Sequence, residues 1–218
     1  MKLRICHLYG NLMNTYGDNG NLLMLQYTAK ESGYEVETEI VSVGDDLDTS
    51  RYDLIFFGGG QDYEQSVVSR DLQTKKEALC AYIEAGGVIL GICGGFQLLG
   101  KYYQTLKGET YPGIGAIDFY TISKKDRLIG DTEMYSDRFQ ETYFGYENHA
   151  GRTYLGDKVQ GLGRTVQGYG NNDDDKVEGV VYKNAFGSYF HGPFLVRNPH
   201  FAQRLVDLAM NKEAQIKN

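Results

Sequence analysis

The segment Val88–Gly100, VILGICGGFQLLG, restricts the folds open to this chain more than any other. An apolar run meets Gly91, passes Ile92 and Cys93, and reaches Gly94-Gly95 before a helix-like stretch, Phe96-Gln97-Leu98-Leu99. The pattern reads as strand, sharp turn and helix, with a cysteine at the corner. Such a turn pushes the corner side chain clear of the sheet, and small neighbours leave room for a strained backbone. A helix start beneath the sulfur favours negative charge, which populates the thiolate. The amide of Gly94 then points to where an oxyanion would form. Cys93 is therefore the candidate nucleophile. Cys6, inside the apolar run Leu3–Leu8, and Cys80, beside Leu79 and Ile83, read instead as small core hydrophobes.

The first half of the chain alternates between strand and helix patterns. Lys2–Tyr9, Glu35–Val43 and Asp53–Phe57 read as strands, and Leu22–Ser32 and Leu72–Ala85 as helices, the latter closed by Gly86-Gly87. Alternation of this kind calls for a central, mostly parallel sheet with helices on both faces. The second half shows short alternating segments, Ala116–Ile122, Thr132–Tyr135, Thr142–Tyr146, Val177–Tyr182 and Gly187–Phe190, separated by Gly/Asn/Asp turns. These predict antiparallel strands extending the sheet. Asn171–Lys176 reads as a solvated acidic hairpin tip, and Asn198–Met210 as a closing helix. No linker or repeat divides the chain, so a single α/β domain over residues 1–218 is expected.

A net charge of −7 gives a nucleic-acid partner no electrostatic support. Three cysteines at irregular spacing fit neither a disulfide framework nor a zinc site, and suit a reducing compartment. The opening MKLRICHLYGN has no signal-peptide apolar region, and no apolar run approaches membrane length. The expectation is a cytoplasmic protein with no metal site, no nucleic acid and no transmembrane segment.

A nucleophilic cysteine needs a base. Of the four histidines, His191 follows the strand end Ser188-Tyr189-Phe190 and precedes Gly192-Pro193, the same kind of position as Cys93. His149, in Tyr146-Glu147-Asn148-His149, is its rival, and His200 falls in the first turn of the closing helix. A second oxyanion donor is expected from the loop Gly58-Gly59-Gly60-Gln61-Asp62, which follows a buried strand, and Gly60 N–H is the candidate. That loop is not a P-loop, and no Gly-x-x-x-x-Gly-Lys-[Ser/Thr] occurs in the chain.

With these residues in view, the chain resembles class I, triad-type glutamine amidotransferases. The likeness rests on Gly91–Gln97, Gly58–Gly60 and His191. The opening His7-Leu8-Tyr9, the segment Leu12–Asn21 and the segment Tyr146–Thr153 resemble the cobyric-acid-synthase-like branch. Within it they are most similar to glutaminase subunits that serve lipid II amidation. The resemblance implies a single-domain, flavodoxin-like fold and an enzyme that hydrolyses L-glutamine through a Cys93 thioester. Gly60 and Gly94 would form its oxyanion hole and His191 its acid and base. It further implies that Gln97 positions substrate and that Arg127 meets it in the glutamine site. A guanidinium suits a substrate carboxylate.

The resemblance also implies a heterodimer. No cofactor would reside in this chain. ATP and magnesium would sit on a Mur-ligase-like ATP-dependent synthetase subunit that amidates the D-glutamate α-carboxyl of the lipid II stem peptide during peptidoglycan synthesis. Two alternatives are a stand-alone thiol hydrolase of glutamine or γ-glutamyl substrates, and a non-catalytic binding module of the same fold. One departure stands out. Triad-type members carry a glutamate two residues after the histidine, and here that place is Pro193. Either Cys93 and His191 act as a pair, or the acid comes from elsewhere, including another chain. The expectation adopted is that a partner contributes or orders it.

Overall fold

The computed structural model describes residues 1–211; residues 212–218, the end of the expected domain, lie outside the described residues. The first half runs β1 (Lys2–Leu8), α1 (Asn19–Glu31), β2 (Glu35–Val41), β3 (Leu54–Phe57), α2 (Asp62–Glu84), β4 (Val88–Ile92) and α3 (Gly94–Leu99). The second runs β5 (Tyr102–Gln104), β6 (Thr110–Pro112), β7 (Phe119–Ser136), β8 (Glu141–Leu155), β9 (Gly163–Gln167), β10 (Val177–Glu178), β11 (Val180–Tyr182) and β12 (Ala185–Ser188). Two helices, α4 (Phe194–Arg197) and α5 (Pro199–Met210), close it.

The central sheet has the order β11-β12-β4-β3-β1-β2. Every neighbouring pair is parallel except β11 with β12. Its inner strands are buried on both faces while the edge strand β2 is largely exposed, and the period-2 alternation sorts the buried side chains into two cores. Leu3, Ile5, Leu54, Phe56, Val88 and Leu90 meet Leu22 and Leu25 of α1 and Phe201 and Leu205 of α5. Leu8, Ile55, Phe57 and Ile89 meet Leu72, Leu79 and Ile83 of α2 and Phe96 and Leu98 of α3. Each fully buried side chain of this size contributes about 1.5–3 kcal/mol. Helices thus cover both faces, as the alternation predicts.

The second half departs from the expected extension. Only β11 and β12 join the central sheet. The other strands build a second six-stranded sheet, β10-β9-β7-β5-β6 with β8 on β7, dominated by the long β7–β8 hairpin. The expected strand Val177–Tyr182 is split at Gly179, whose φ of +66° lets the chain leave one sheet for the other. Alternation along a strand reports its two faces but not which sheet it joins. Helix α2 begins ten residues before the expected Leu72, at Asp62. Its first turns are polar and carry little apolar periodicity, but Asp62 and Glu64 complement the N-terminal dipole and Val68 reaches the core.

Candidate active site

Strands β1, β3, β4 and β12 run parallel and end on one edge of the central sheet. The chain leaves β1 for β2 on one side and returns to β3 on the other. A crevice opens beyond the strand ends at such a reversal. All four loops that start there carry candidate residues.

Cys93 lies between β4 and α3, with φ 49° and ψ −106°. A non-glycine residue held in that region stores about 1–3 kcal/mol of strain. The surroundings impose it: Cys93 N donates to Ser188 O at 2.9 Å, Gln97 N donates to Cys93 O at 2.9 Å, and Gly95 N donates to Gly58 O at 3.0 Å. The result is a half-buried thiol at the strand–helix corner.

His191 follows β12 and is held by a two-way backbone bridge to Tyr146 of β8, at 3.1 and 2.8 Å. Its Nδ1 lies 3.2 Å from Asp18 Oδ1. Among the described residues its buried Nε2 has no partner at normal hydrogen-bond geometry, and Cys93 is the group that influences it from that side. Asp18 is itself fully buried, and its Oδ2 accepts a 2.6 Å bond from Gly59 N. Three groups converge at Gly59: a Cβ placed there would stand 3.1 Å from Asp18 Oδ2, 3.2 Å from Cys93 Cβ and 3.5 Å from His191 Cε1. Burial works against a charged His191, but the Asp18 hydrogen bond and the interaction with Cys93 outweigh it and hold the imidazole up at about 10. The buried carboxylate of Asp18 thus favours the protonated ring.

A carboxylate of the same chain thus stands beside His191, where Pro193 offers none. Asp18 comes from the polar loop after β1, so it is an acid from elsewhere in this chain that faces the imidazole.

Gly59 N and Gly95 N are committed to Asp18 Oδ2 and Gly58 O. Their neighbours Gly60 and Gly94 lie side by side, a Cβ on Gly94 standing 3.0 Å from Gly60 N. The two glycines thus sit together beside Cys93.

Cys93 and Gly60 open into a cavity of about 460 Å³ that is also lined by Gln97, Arg127, Asn148 and His149. The sequence-predicted residues are thus brought together. Gln97 reaches the cavity with its amide largely committed, accepting from Gln65 Nε2 at 2.6 Å and donating to Tyr189 OH at 3.0 Å. Arg127 sits in a β-bulge of β7 between Ser123 and Leu128. Its Nε donates to Asn148 Oδ1 at 2.8 Å and its Nη2 to Asn148 O at 2.9 Å.

His149 is a wall of the cavity, with both ring nitrogens facing partners. Its Nδ1 lies 2.7 Å from Gly151 O, its Nε2 lies 3.4 Å from Glu147 Oε2, and its ring stacks on Tyr189 at 3.6 Å. Burial holds its pKa below the ordinary value. His200 stacks on Tyr143, away from the cavity. Among the described residues no helix is long and apolar enough to cross a membrane.

The chain and its fold have counterparts among known proteins. Residues 4–199 match the CobB/CobQ-like glutamine amidotransferase domain, and the chain belongs to that family. It is 54% identical over 213 residues, covering 97% of this chain and 82% of the relative, to the lipid II isoglutaminyl synthase (glutamine-hydrolyzing) subunit GatD of Streptococcus pneumoniae (strain ATCC BAA-255 / R6). It is 41% identical to the protein of the same name from Staphylococcus aureus (strain N315), covering 97% of this chain and 86% of the relative. A probable cobyric acid synthase of Methanothermobacter thermautotrophicus is more distant, at 37% identity over 49% of this chain and 23% of the relative. The fold is shared with the glutaminase domain of Trypanosoma brucei CTPS, solved with bound acivicin. That likeness has a TM-score of 0.58 and 11% identity, and it covers 99% of this chain and 95% of the other.

Proposed function

We propose that this chain is a glutaminase subunit that releases ammonia from L-glutamine and passes it to an ATP-dependent synthetase subunit. The observation that carries the reading is the convergence of Cys93, His191 and Asp18 around Gly59, beneath a cavity that also holds Arg127.

Arg127 pairs with the substrate's α-carboxylate. Cys93 Sγ, as thiolate, attacks the side-chain amide carbon, and the C–S bond forms while the carbonyl oxygen takes negative charge facing the Gly60 and Gly94 amides. His191 Nε2 gives its proton to the departing nitrogen, the C–N bond breaks, and ammonia leaves a γ-glutamyl thioester. Water then loses a proton to His191 and adds to the thioester. The C–S bond breaks, glutamate leaves, and thiolate and imidazolium are restored. Asp18 holds the ring in the tautomer that aims Nε2 at sulfur and steadies its charge.

The sequence offers no ATP motif, and two of the similar proteins are named as subunits of a synthase. Ammonia made here therefore serves a Mur-ligase-like subunit, which carries ATP and magnesium, in the cytoplasm. The acceptor is the D-glutamate α-carboxyl of the lipid II stem peptide, giving D-isoglutamine. The test is glutamate and ammonia release from glutamine by the purified chain, with and without that subunit, using Cys93→Ala as control. Cys93-dependent release that rises on adding the subunit supports the reading.

A second reading has an observation in its favour. The acid is supplied within the chain, so a stand-alone thiol hydrolase is chemically complete. Rapid turnover of γ-glutamyl peptides as well as glutamine, indifferent to the synthetase, would establish it in place of the subunit. The non-catalytic reading rested on Pro193, and Asp18 removes that ground.

A further inference from the structure

Across the mouth of the cavity runs a connected chain of contacts that the hydrolysis itself does not require. Tyr16 lies in a short 3-10 turn, Thr15–Gly17, with φ +57°. That conformation is uncommon for an aromatic residue and persists only when its surroundings hold it. The turn is tied down on either side: Thr15 N donates to Gly59 O at 3.0 Å, and Asn19 N donates to Asn14 Oδ1 at 2.6 Å. From this turn the Tyr16 ring meets the His191 imidazole edge-on, centroids 5.0 Å apart. Its hydroxyl reaches the opposite wall and accepts from Asn148 Nδ2 at 3.1 Å. Asn148 in turn accepts from Arg127 through both its side-chain and its backbone oxygen.

The arrangement divides the guanidinium. Its Nε–Nη2 edge is engaged by the two oxygens of Asn148. The Nη1–Nη2 edge remains for a carboxylate, in the paired geometry that guanidinium–carboxylate recognition prefers. Tyr16 is about half exposed, so burial alone does not account for its being held there. These hydrogen bonds and the ring contact form a continuous path from Arg127 through Asn148 and Tyr16 to His191.

We infer that Tyr16 and Asn148 are positioning residues that link carboxylate recognition at Arg127 to placement of the His191 ring. The α-carboxylate of glutamine is then read in turnover as well as in binding. This rests on the proposed glutaminase reading and adds a specificity device to it. Primary amides that lack the carboxylate enter the cavity but leave His191 unaligned, which protects the thiolate from unproductive substrates.

The test compares glutamine with 4-aminobutanamide, which is glutamine without its α-carboxylate, using the chain together with its synthetase subunit. Tyr16→Phe removes the hydroxyl and keeps the ring. The expected result is a fall of about tenfold in kcat for glutamine with KM changed by less than about twofold, and kcat for 4-aminobutanamide unchanged. Asn148→Ala, which also frees Arg127, raises KM for glutamine about tenfold or more and lowers kcat as well. The inference is overturned if Tyr16→Phe leaves glutamine kcat within about twofold of wild type, or lowers both substrates by the same factor. In those cases wild-type glutamine turnover persists and the glutaminase reading stands. Absence of any wild-type turnover overturns both.

Discussion

Asp18 and His191, 173 positions apart in sequence, are joined at 3.2 Å between Oδ1 and Nδ1, and both are buried. The same carboxylate accepts from Gly59 N through its other oxygen. One side chain thus orients the imidazole and fixes the loop that presents Gly60. Asp18→Asn keeps the shape but cannot accept at both positions. It is expected to lower kcat for glutamine about 10²–10⁴-fold. Because the acid lies in this chain, added synthetase subunit should not restore the rate. Steady-state kinetics of the variant, alone and in complex, check this.

The pH dependence of stability follows from His191. Its folded pKa stands near 10, above the ordinary 6.5. A raised pKa contributes stability that is fully present below about 6.5 and is lost as pH climbs through about 10. Urea unfolding midpoints should therefore fall between neutral pH and pH 10 in the wild type. Asp18→Asn lowers the His191 pKa, so its midpoints should fall less over the same window.

Gly59 provides a test of close approach. A methyl group there meets Asp18 Oδ2, Cys93 Cβ and His191 Cε1 at 3.1–3.5 Å. Asp18 Oδ2 and Cys93 Cβ must yield by a few tenths of an ångström, while His191 Cε1 is at ordinary contact, and no stretch of regular secondary structure is disturbed. Gly59→Ala should keep a melting temperature near that of wild type while kcat drops about 10–100-fold. Thermal melting and glutaminase assays on one preparation separate these effects.

A buried acid behind the site gives a prediction about folding alone. Glu178 of β10 is fully buried; its Oε1 accepts from Ser188 Oγ at 2.6 Å and from Tyr189 N at 3.0 Å, while among the described residues Oε2 has no partner at normal hydrogen-bond geometry. Burial pushes its pKa up to about 8, against the hydrogen bonds that favour the anion. The protonated form therefore stabilises the fold, fully below about 4.5 and progressively less as pH rises through about 8. Glu178→Gln retains an acceptor for Ser188 and Tyr189 and removes the titration. Relative to wild type it should gain stability between pH 5 and 9, on the order of 4 kcal/mol at most. Urea unfolding across that range measures it.

What was legible in the sequence was local. Cys93 and the Gly58–Gly60 loop could be read because each is a short motif at the end of an apolar strand. His191 could be read because a turn follows its strand at once. Asp18 was hidden because a carboxylate in a polar loop resembles any solvated residue until the sheet brings the ends of β1, β3, β4 and β12 together. The separate second sheet was hidden for a related reason. The alternation in β7 and β8 reports a buried and an exposed face but not the partner strand, and Gly179 marks only where the chain returns to the central sheet. Tyr16 and Asn148 meet across 132 positions, a distance no local pattern spans.

The most direct test of the central claim is to trap the intermediate. The chain is mixed with glutamine, quenched in acid within its turnover time, and its peptides are weighed by mass spectrometry. The account predicts one glutamyl group on the peptide that contains Cys93. The adduct should be absent in Cys93→Ala and should accumulate more slowly in Asp18→Asn. Glutamine turnover that proceeds undiminished in Cys93→Ala, or a glutamyl group found on another side chain, would contradict it.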